Sequence, residues 1–239
     1  MKLYSLATLA SMSVTKAAIT SDSVQTAVQA LPGGRKVPAL LGPTYNLFED
    51  YGCWCRFGNK VMTGKATPVD EMDTQCQTLM HAYECAVMDY EETTGKTDCE
   101  PWNIVYAAGL SGAKMLENGQ ITGLVENCNE LNPDNMCAAH ACMAEGVFIL
   151  GLIRILADPA VEINPNFKVA NGFDFEGTCV VEVAGLSPER ECCGILPYRY
   201  PFRPEGRACC GRKTYDPTIK ECCEPENSKL KFSCEGELD

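Results

Sequence analysis

The chain has 239 residues, which is enough for one large domain or two small ones. Its formal net charge is −12 at pH 7, which disfavours nucleic acid and anionic membranes as partners because their surfaces are also negative. The longest internal apolar run, residues 146–155, is shorter than the roughly 18–20 residues that a membrane helix needs. We therefore expect no transmembrane segment, and the acidic surface favours cations, basic proteins or mineral surfaces.

The N-terminus resembles a signal peptide. Lys2 precedes a modest apolar stretch at residues 3–12, and the small residues Ala17 and Ala18 follow. The alternative is a frayed N-terminal helix. Because the cysteine content favours export, we predict a signal peptide at residues 1–18 and a secreted, extracellular protein.

Sixteen cysteines set the class of the protein. They form two groups of eight, from Cys53 to Cys142 and from Cys179 to Cys234. Even numbers indicate disulfides formed in an oxidising compartment. Zinc sites are the alternative, but they usually combine C-x2-C spacings with histidines, and this chain has only two histidines, His81 and His140. We predict disulfides.

Turn signals and cysteine density divide the chain into segments. The segment after the leader ends at Pro32-Gly33-Gly34, and the connector after the first cysteine group contains turn pairs such as Asn171-Gly172. In chain order, we predict an N-terminal helix and linker at 19–42, a first module at 43–157, a linker at 158–178 and a Cys-rich module at 179–239.

Two segments of the first module have helical periodicity. Apolar residues recur at steps of three and four within residues 70–90 and within residues 137–156, and Asp70 can cap the first helix. We predict an antiparallel helix pair held by disulfides, with a third helix at residues 102–117. The fold class is therefore mainly α and disulfide-rich.

The start of this module resembles a known family. Residues 51–55, Y-G-C-W-C, and the pattern Pro68-x-Asp70-x-x-Asp73 before Cys76 resemble the calcium loop and active-site helix of secreted phospholipases A2. The resemblance covers roughly residues 43–157 and implies the helix pair of that family. It also implies a reaction in which a histidine base activates water while calcium polarises the ester.

The register of the resemblance decides the chemistry. In the family pattern, the histidine base lies three residues after a cysteine and is followed by the aspartate that binds calcium. Counting from Cys76 places Leu79 at the base position and Met80 at the carboxylate position. Glu145 stands where the acid that orients the base belongs. Neither apolar side chain can perform its role, so we expect no catalytic residue.

The resemblance also implies that loop carbonyls bind calcium. They would be those of Trp54, Arg56 and Gly58, but Arg56 stands where the family has glycine. Calcium thus remains an alternative ligand, although the carboxylate that would bind it is missing. We expect no cofactor to be required.

The positions of the cysteines agree with the same alignment to the family pattern. The resemblance implies the disulfides Cys55–Cys76, Cys99–Cys137 and Cys128–Cys142. Two further family disulfides are absent as whole pairs, one at Gln75 and Gly151 and one at Ala82 and Ala144. Cys53 and Cys85 are left over, and either they pair together or Cys53 reaches toward Cys179.

The C-terminal module has a different pattern. Residues 209–223 read C-C-G-x-x-x-Y-D-P-x-x-x-x-C-C, and a third adjacent pair lies at Cys192-Cys193. This unit resembles galaxin repeats, which implies a small, loop- and β-rich, cysteine-knotted module. Crosslinks would replace a core that so short a segment can hardly build.

Three functions compete. The first is a secreted, non-catalytic phospholipase A2-like protein that acts in the extracellular matrix or binds a mineral or lipid ligand. The second is a calcium-dependent phospholipase A2 that cleaves the sn-2 ester with His81 as base, although Ala82 would then stand at the carboxylate position. The third is a non-hydrolytic lipid-binding or toxin-like module in which Leu79 and Met80 line an apolar pocket. We favour the first and expect His81 to be a packing or surface residue.

Overall fold

The computed structural model describes residues 49–57, 60–107, 114–115, 121–122, 128–157, 160–161, 163–181 and 189–234. The predicted signal peptide and the predicted N-terminal helix and linker lie outside these residues. Among the helices of the described part, none combines the length and the apolar character that crossing a membrane requires.

Two long helices form the centre of the fold. Helix α1 spans Glu71–Thr94 and helix α3 spans Met136–Ala157. Asp70 caps α1 by accepting a hydrogen bond from the N–H of Asp73, and Gly95 ends it in the left-handed conformation at φ 69°. Both helices lie where the apolar periodicity predicts them.

Contacts between the two helices give their relative direction. Glu71, at the start of α1, pairs with Arg154 near the end of α3 at 2.8 Å. Tyr83, midway along α1, binds Glu145 midway along α3 at 2.7 Å. The beginning of one helix therefore meets the end of the other, and the pair is antiparallel as predicted.

The main core lies between these helices and the loop before α1. Gly151 of α3 lies against Gln75 of α1, because a Cβ at position 151 would overlap the Gln75 side chain. Ala82 and Ala144, the other cysteine-free pair, both lie in the core. The buried members are Tyr51, Cys55, Phe57, Met72, Cys76, Leu79, Met80, Ala82, Tyr83, Ala144, Phe148, Ile149, Leu152 and Ile155.

The prediction of a third helix at residues 102–117 is wrong within the described residues. Residues 101–103 form a turn, residues 104–107 have no regular structure, and β1 begins at Lys114. Ile104 and Val105 are β-branched and weaken a helix. The Tyr106 side chain is held by Glu145 of α3, at 2.5 Å. The short elements that follow are β1 (Lys114–Met115), its antiparallel partner β2 (Ile121–Thr122) and α2 (Cys128–Leu131).

Residues 163–179 pack against the loop that precedes α1, and we call this segment the strap; all but Cys179 belong to the linker predicted at 158–178. The Gly52 N–H donates to the Phe167 carbonyl at 2.8 Å, and the Val169 N–H donates to the Asp50 carbonyl at 3.0 Å. The strap contains the 3-10 turns Pro165–Phe167 and Val169–Asn171 and the helix α4, Phe175–Thr178. A disulfide joins its end, Cys179, to Cys53 of the loop.

The C-terminal part consists of three β-hairpins, each beginning at one of the adjacent cysteine pairs. The strands are β3 (Glu191–Cys193), β4 (Tyr200–Phe202), β5 (Ala208–Cys210), β6 (Lys213–Tyr215), β7 (Glu221–Glu224) and β8 (Lys229–Lys231). Consecutive strands pair antiparallel within each hairpin. A 3-10 turn, Pro225–Asn227, connects β7 to β8.

Disulfides join these hairpins in sequence. The bridges are Cys193–Cys209, Cys210–Cys222 and Cys223–Cys234. Adjacent strand residues point to opposite faces, so one cysteine of each pair bonds backward and the other forward. The module is therefore a ladder of consecutive bridges, and the expectation of a cysteine knot is wrong.

Candidate functional site

Asp73 organises the loop that resembles a calcium loop. Its carboxylate is fully buried and accepts hydrogen bonds from the backbone N–H groups of Cys53 at 2.8 Å, Trp54 at 2.7 Å and Val69 at 3.0 Å. Burial raises the pKa of Asp73, while these three donors act in the opposite direction. One side chain of α1 thus fixes both ends of the loop.

Gly52 is required at the tip of this arrangement. Its φ is 58°, in the left-handed region, and a Cβ there would overlap the Asp73 carboxylate. The glycine lets the loop backbone approach the carboxylate closely enough to donate its hydrogen bonds. The pattern Y-G-C in the sequence therefore has a direct geometric cause.

Leu79 and Met80 lie inside the core rather than at a solvent-filled cleft. Each is 1 % exposed, and both belong to the cluster that contains Ala144 and Phe148 of α3. At the positions where the resemblance implies a base and a calcium carboxylate, the chain has two buried apolar side chains. They contribute packing energy to the helix pair, on the order of 1.5–3 kcal/mol each.

Glu145 is buried beside them and is held by two phenols. The hydroxyls of Tyr83 and Tyr106 donate to its two carboxylate oxygens at 2.7 and 2.5 Å. Burial raises the pKa of Glu145 to about 7, and the two hydrogen bonds partly counteract it. The same burial and the nearby carboxylate raise the pKa of both tyrosines. Within the described residues no imidazole donates to it, so here the acid joins α1, α3 and the segment at Tyr106.

His81 faces the loop but not Glu145. Its ring packs edge-on against the Trp54 indole, with 4.9 Å between the ring centroids. Burial, and secondarily the charge of Arg190, lower the pKa of His81 to about 4. The imidazole is therefore neutral near pH 7, and it reaches the loop without reaching the acid that would orient a base.

Among the described residues that the resemblance implies for calcium, none supplies a carboxylate. The Trp54 carbonyl accepts the N–H of Arg56 at 2.6 Å, so this proposed ligand already has a partner. Met80 offers a buried thioether, which is a poor ligand for a hard cation. Gly58 lies outside the described residues. Over the part of the chain that the structure covers, no group of three or more His, Cys, Asp or Glu side chains could hold a metal.

Arg56 fastens the loop to the strap. Its guanidinium lies 4.1 Å from the centre of the Phe175 ring, and its Nη1 is 3.3 Å from Asp50. Lys65 approaches the same ring from 5.1 Å and pairs with Glu176 of α4 at 2.9 Å. The arginine that replaces the family's glycine is thus used for packing and ion pairing.

The disulfides include the three that the resemblance implies and two that it leaves open. Cys53 pairs with Cys179 of the strap, and Cys85 pairs with Cys192 of the first hairpin, with S–S distances of 1.92 and 2.04 Å. Cys53 and Cys85 therefore do not pair together. The implied bridges are Cys55–Cys76, Cys99–Cys137 and Cys128–Cys142.

Comparisons with known proteins find phospholipases A2 that are similar to part of the chain. The chain is 33 % identical over 100 residues to "Acidic phospholipase A2 CM-II" of Aspidelaps scutatus, covering 42 % of this chain and 63 % of the relative. It is 34 % identical over 85 residues to "Basic phospholipase A2 nigexine" of Naja pallida, covering 34 % and 61 %. For "Acidic phospholipase A2 PL-II" of Walterinnesia aegyptia the identity is 31 % over 87 residues, covering 35 % and 55 %.

Part of this chain is phospholipase A2-like. The similarity spans no more than about three fifths of the length of these relatives, from 55 to 63 %. No family model matches the chain. No solved structure matches it either.

Proposed function

We propose that the chain is a secreted, non-catalytic phospholipase A2-like protein that acts in the extracellular matrix or binds a ligand there. The burial of Leu79 and Met80 at the base and carboxylate positions carries this proposal. A hydrocarbon can neither take a proton from water nor coordinate calcium. The loop geometry adds support, because the Trp54 carbonyl is engaged by Arg56.

Covalent structure and charge support an extracellular role. Every cysteine in the described part is in a disulfide, which is typical of secreted proteins. The relatives named phospholipases A2 are similar to part of this chain. The net charge of −12 and the galaxin-like repeats of the three-hairpin ladder favour cationic or mineral partners.

Adsorption to a mineral tests the binding role. At the end of α1, Glu91, Glu92 and the nearby Asp98 are exposed. We expect the oxidised protein to adsorb to calcium carbonate particles, and expect the variant E91Q/E92Q/D98N to adsorb several-fold more weakly. Lys96→Gln, at the same exposed turn, is the control and should adsorb at least as well as the wild type. Equal adsorption of all three proteins would contradict a role for this acidic surface.

A phospholipase A2 with His81 as base is the second candidate. The contact between His81 and Trp54 favours it, because a neutral imidazole lies against the loop. The separation of His81 from Glu145 and the lack of a calcium carboxylate count against it. This candidate requires that the wild-type protein releases fatty acid in a calcium-dependent manner and that His81→Ala abolishes the release. Our proposal predicts that the wild-type protein releases none.

A non-hydrolytic lipid-binding module is the third candidate function. It requires co-sedimentation of the protein with zwitterionic phospholipid vesicles that is insensitive to calcium. The packing of Leu79 and Met80 into the core argues against a pocket at their position, since both side chains are 1 % exposed. We expect no co-sedimentation.

A further inference from the structure

A partly buried charge cluster lies where the first hairpin, β3–β4, meets the helix pair. Arg199, directly before β4, donates from Nη2 to the Asp89 carboxylate of α1 at 2.7 Å. His140 of α3 is 7 % exposed and interacts electrostatically with both groups. The Cys85–Cys192 disulfide bonds the same hairpin to α1 one turn away.

Two nitrogen atoms of this cluster have no hydrogen-bond partner within the described residues. They are Nδ1 of His140 and Nε of Arg199, and both are buried. A buried imidazole therefore lies near a guanidinium whose Nε has no hydrogen-bond partner, although its Nη2 pairs with Asp89. Adding a proton to this imidazole would place a second positive charge beside Arg199 in a poorly solvated site.

We propose that the cluster is an acid-sensitive latch. The Arg199–Asp89 ion pair holds the first hairpin on the helix pair at neutral pH, proton uptake by His140 loosens it, and the Cys85–Cys192 disulfide keeps the loosened hairpin attached. A second ion pair, Arg190 with Glu84 at 2.5 Å, limits the movement.

The direction of the pH effect follows from the groups that face His140. Burial lowers its pKa, Arg199 lowers it further, and Asp89 acts in the opposite direction. Because the pKa of His140 is lowered in the folded protein, its neutral imidazole contributes fully to the stability of the docked hairpin above pH 6.5, the ordinary pKa of histidine. This contribution is lost as the pH falls below that value. By thermodynamic reciprocity, the docked Arg199 disfavours proton uptake by His140, and a proton on His140 disfavours docking of the first hairpin.

Asp89 is the second titratable group of the latch. Burial raises its pKa, Arg199 and His140 act against this, and Glu92 adds to it. Proton uptake by Asp89 would remove the charge that Arg199 pairs with, so it would loosen the hairpin in the same direction as proton uptake by His140. The latch is therefore expected to weaken as the pH falls below about 6.5, the ordinary pKa of a histidine.

Titration of the imidazole signals tests the coupling in the full oxidised chain. The two histidines give two proton NMR signals, and we expect Arg199→Gln to raise the apparent pKa of His140 by at least about half a unit. His81 is an internal control, because Arg190 rather than Arg199 acts on it. Arg154→Gln, which removes the distant pair with Glu71, should move neither signal. An unchanged His140 titration in Arg199→Gln would overturn the latch.

Hydrogen exchange tests the movement itself. After correction for intrinsic rates, amides of residues 191–202 in the wild type should lose at least about threefold protection between pH 7 and pH 5, while α1 and α3 keep theirs. His140→Gln should abolish this loss. Protection that is independent of pH in the wild type would overturn the proposal, and this measurement decides the matter even if His140→Gln does not fold.

Discussion

The Tyr83 hydroxyl on α1 donates a 2.7 Å hydrogen bond to the Glu145 carboxylate on α3. The acid that stands where an orienting aspartate would be expected therefore joins the two helices through a phenol. Tyr106 donates to the other oxygen, so each carboxylate oxygen accepts one hydrogen bond from a phenol. This buried group has a structural role, and its ionisation should be visible in the stability of the fold.

Glu145→Gln should flatten the dependence of stability on pH. Burial raises the pKa of Glu145 to about 7 from an ordinary 4.5, so its contribution to stability is full below pH 4.5 and is lost as the pH rises through 7. We expect ionisation of Glu145 to lower the free energy of unfolding of the wild type by on the order of 3 kcal/mol between pH 5 and pH 8. Denaturant unfolding at both pH values measures it. If Glu145→Gln loses as much unfolding free energy between the two pH values as the wild type does, Glu145 is not the source of the pH dependence.

Asp73→Asn should destabilise the loop. The amide keeps one acceptor oxygen but presents an NH2 group to backbone donors, so at least one buried N–H loses its partner. We expect a loss of about 3 kcal/mol in the free energy of unfolding. Asp174→Asn is the matched control, because Asp174 caps the exposed helix α4 through a single N–H. Equal losses in the two variants would show that Asp73 does not organise the loop.

Removal of the Cys85–Cys192 disulfide should cost more than removal of Cys223–Cys234. The two bridges span 107 and 11 residues. The other bridges remain closed in the unfolded chain, and the path through Cys55–Cys76 and Cys53–Cys179 shortens the loop that Cys85–Cys192 closes to about 24 residues. In the chain-entropy account, this bridge therefore contributes about 0.7 kcal/mol more than Cys223–Cys234. Comparing the double alanine variants by denaturant unfolding checks this, and both should retain the helix pair by circular dichroism. Equal losses would contradict a covalent role for Cys85 in holding the first hairpin.

His81 should remain neutral well below pH 6. Burial against Trp54 and the nearby Arg190 lower the pKa of His81 to about 4. Proton NMR of the imidazole should therefore show almost no protonation at pH 5.5. After unfolding in denaturant, the same signal should titrate near 6.5. Titration near 6.5 in the folded protein would mean that the imidazole is solvated.

Much of the helical framework could be predicted from the sequence. The apolar steps locate both long helices, and the cysteine-free pair Gln75 and Gly151 predicts a contact that the structure contains. These features depend on local periodicity and on a resemblance that covers this part of the chain. The same register predicts Leu79 and Met80 at the base and carboxylate positions, and in the structure both side chains are buried.

Other features depend on contacts between distant segments. Nothing local indicates that Cys85 bonds Cys192 or that Tyr106 reaches Glu145, because each pair is brought together only by the folded chain. The strap reads as a linker since its turn residues are polar, yet Phe167 and Phe175 pack it onto the loop. The predicted third helix failed for a similar reason, since Tyr106 is held by α3.

Hydrolysis of phospholipid vesicles tests the central claim most directly. The oxidised, leader-free protein is incubated with zwitterionic vesicles in millimolar calcium and, separately, in chelator, and fatty acid release is measured beside an active phospholipase A2. With Leu79 and Met80 buried at the positions where the resemblance implies a base and a carboxylate, we predict no calcium-dependent release. Clear calcium-dependent release that Leu79→Ala preserves and His81→Ala abolishes would contradict the account and make His81 the base of a working enzyme.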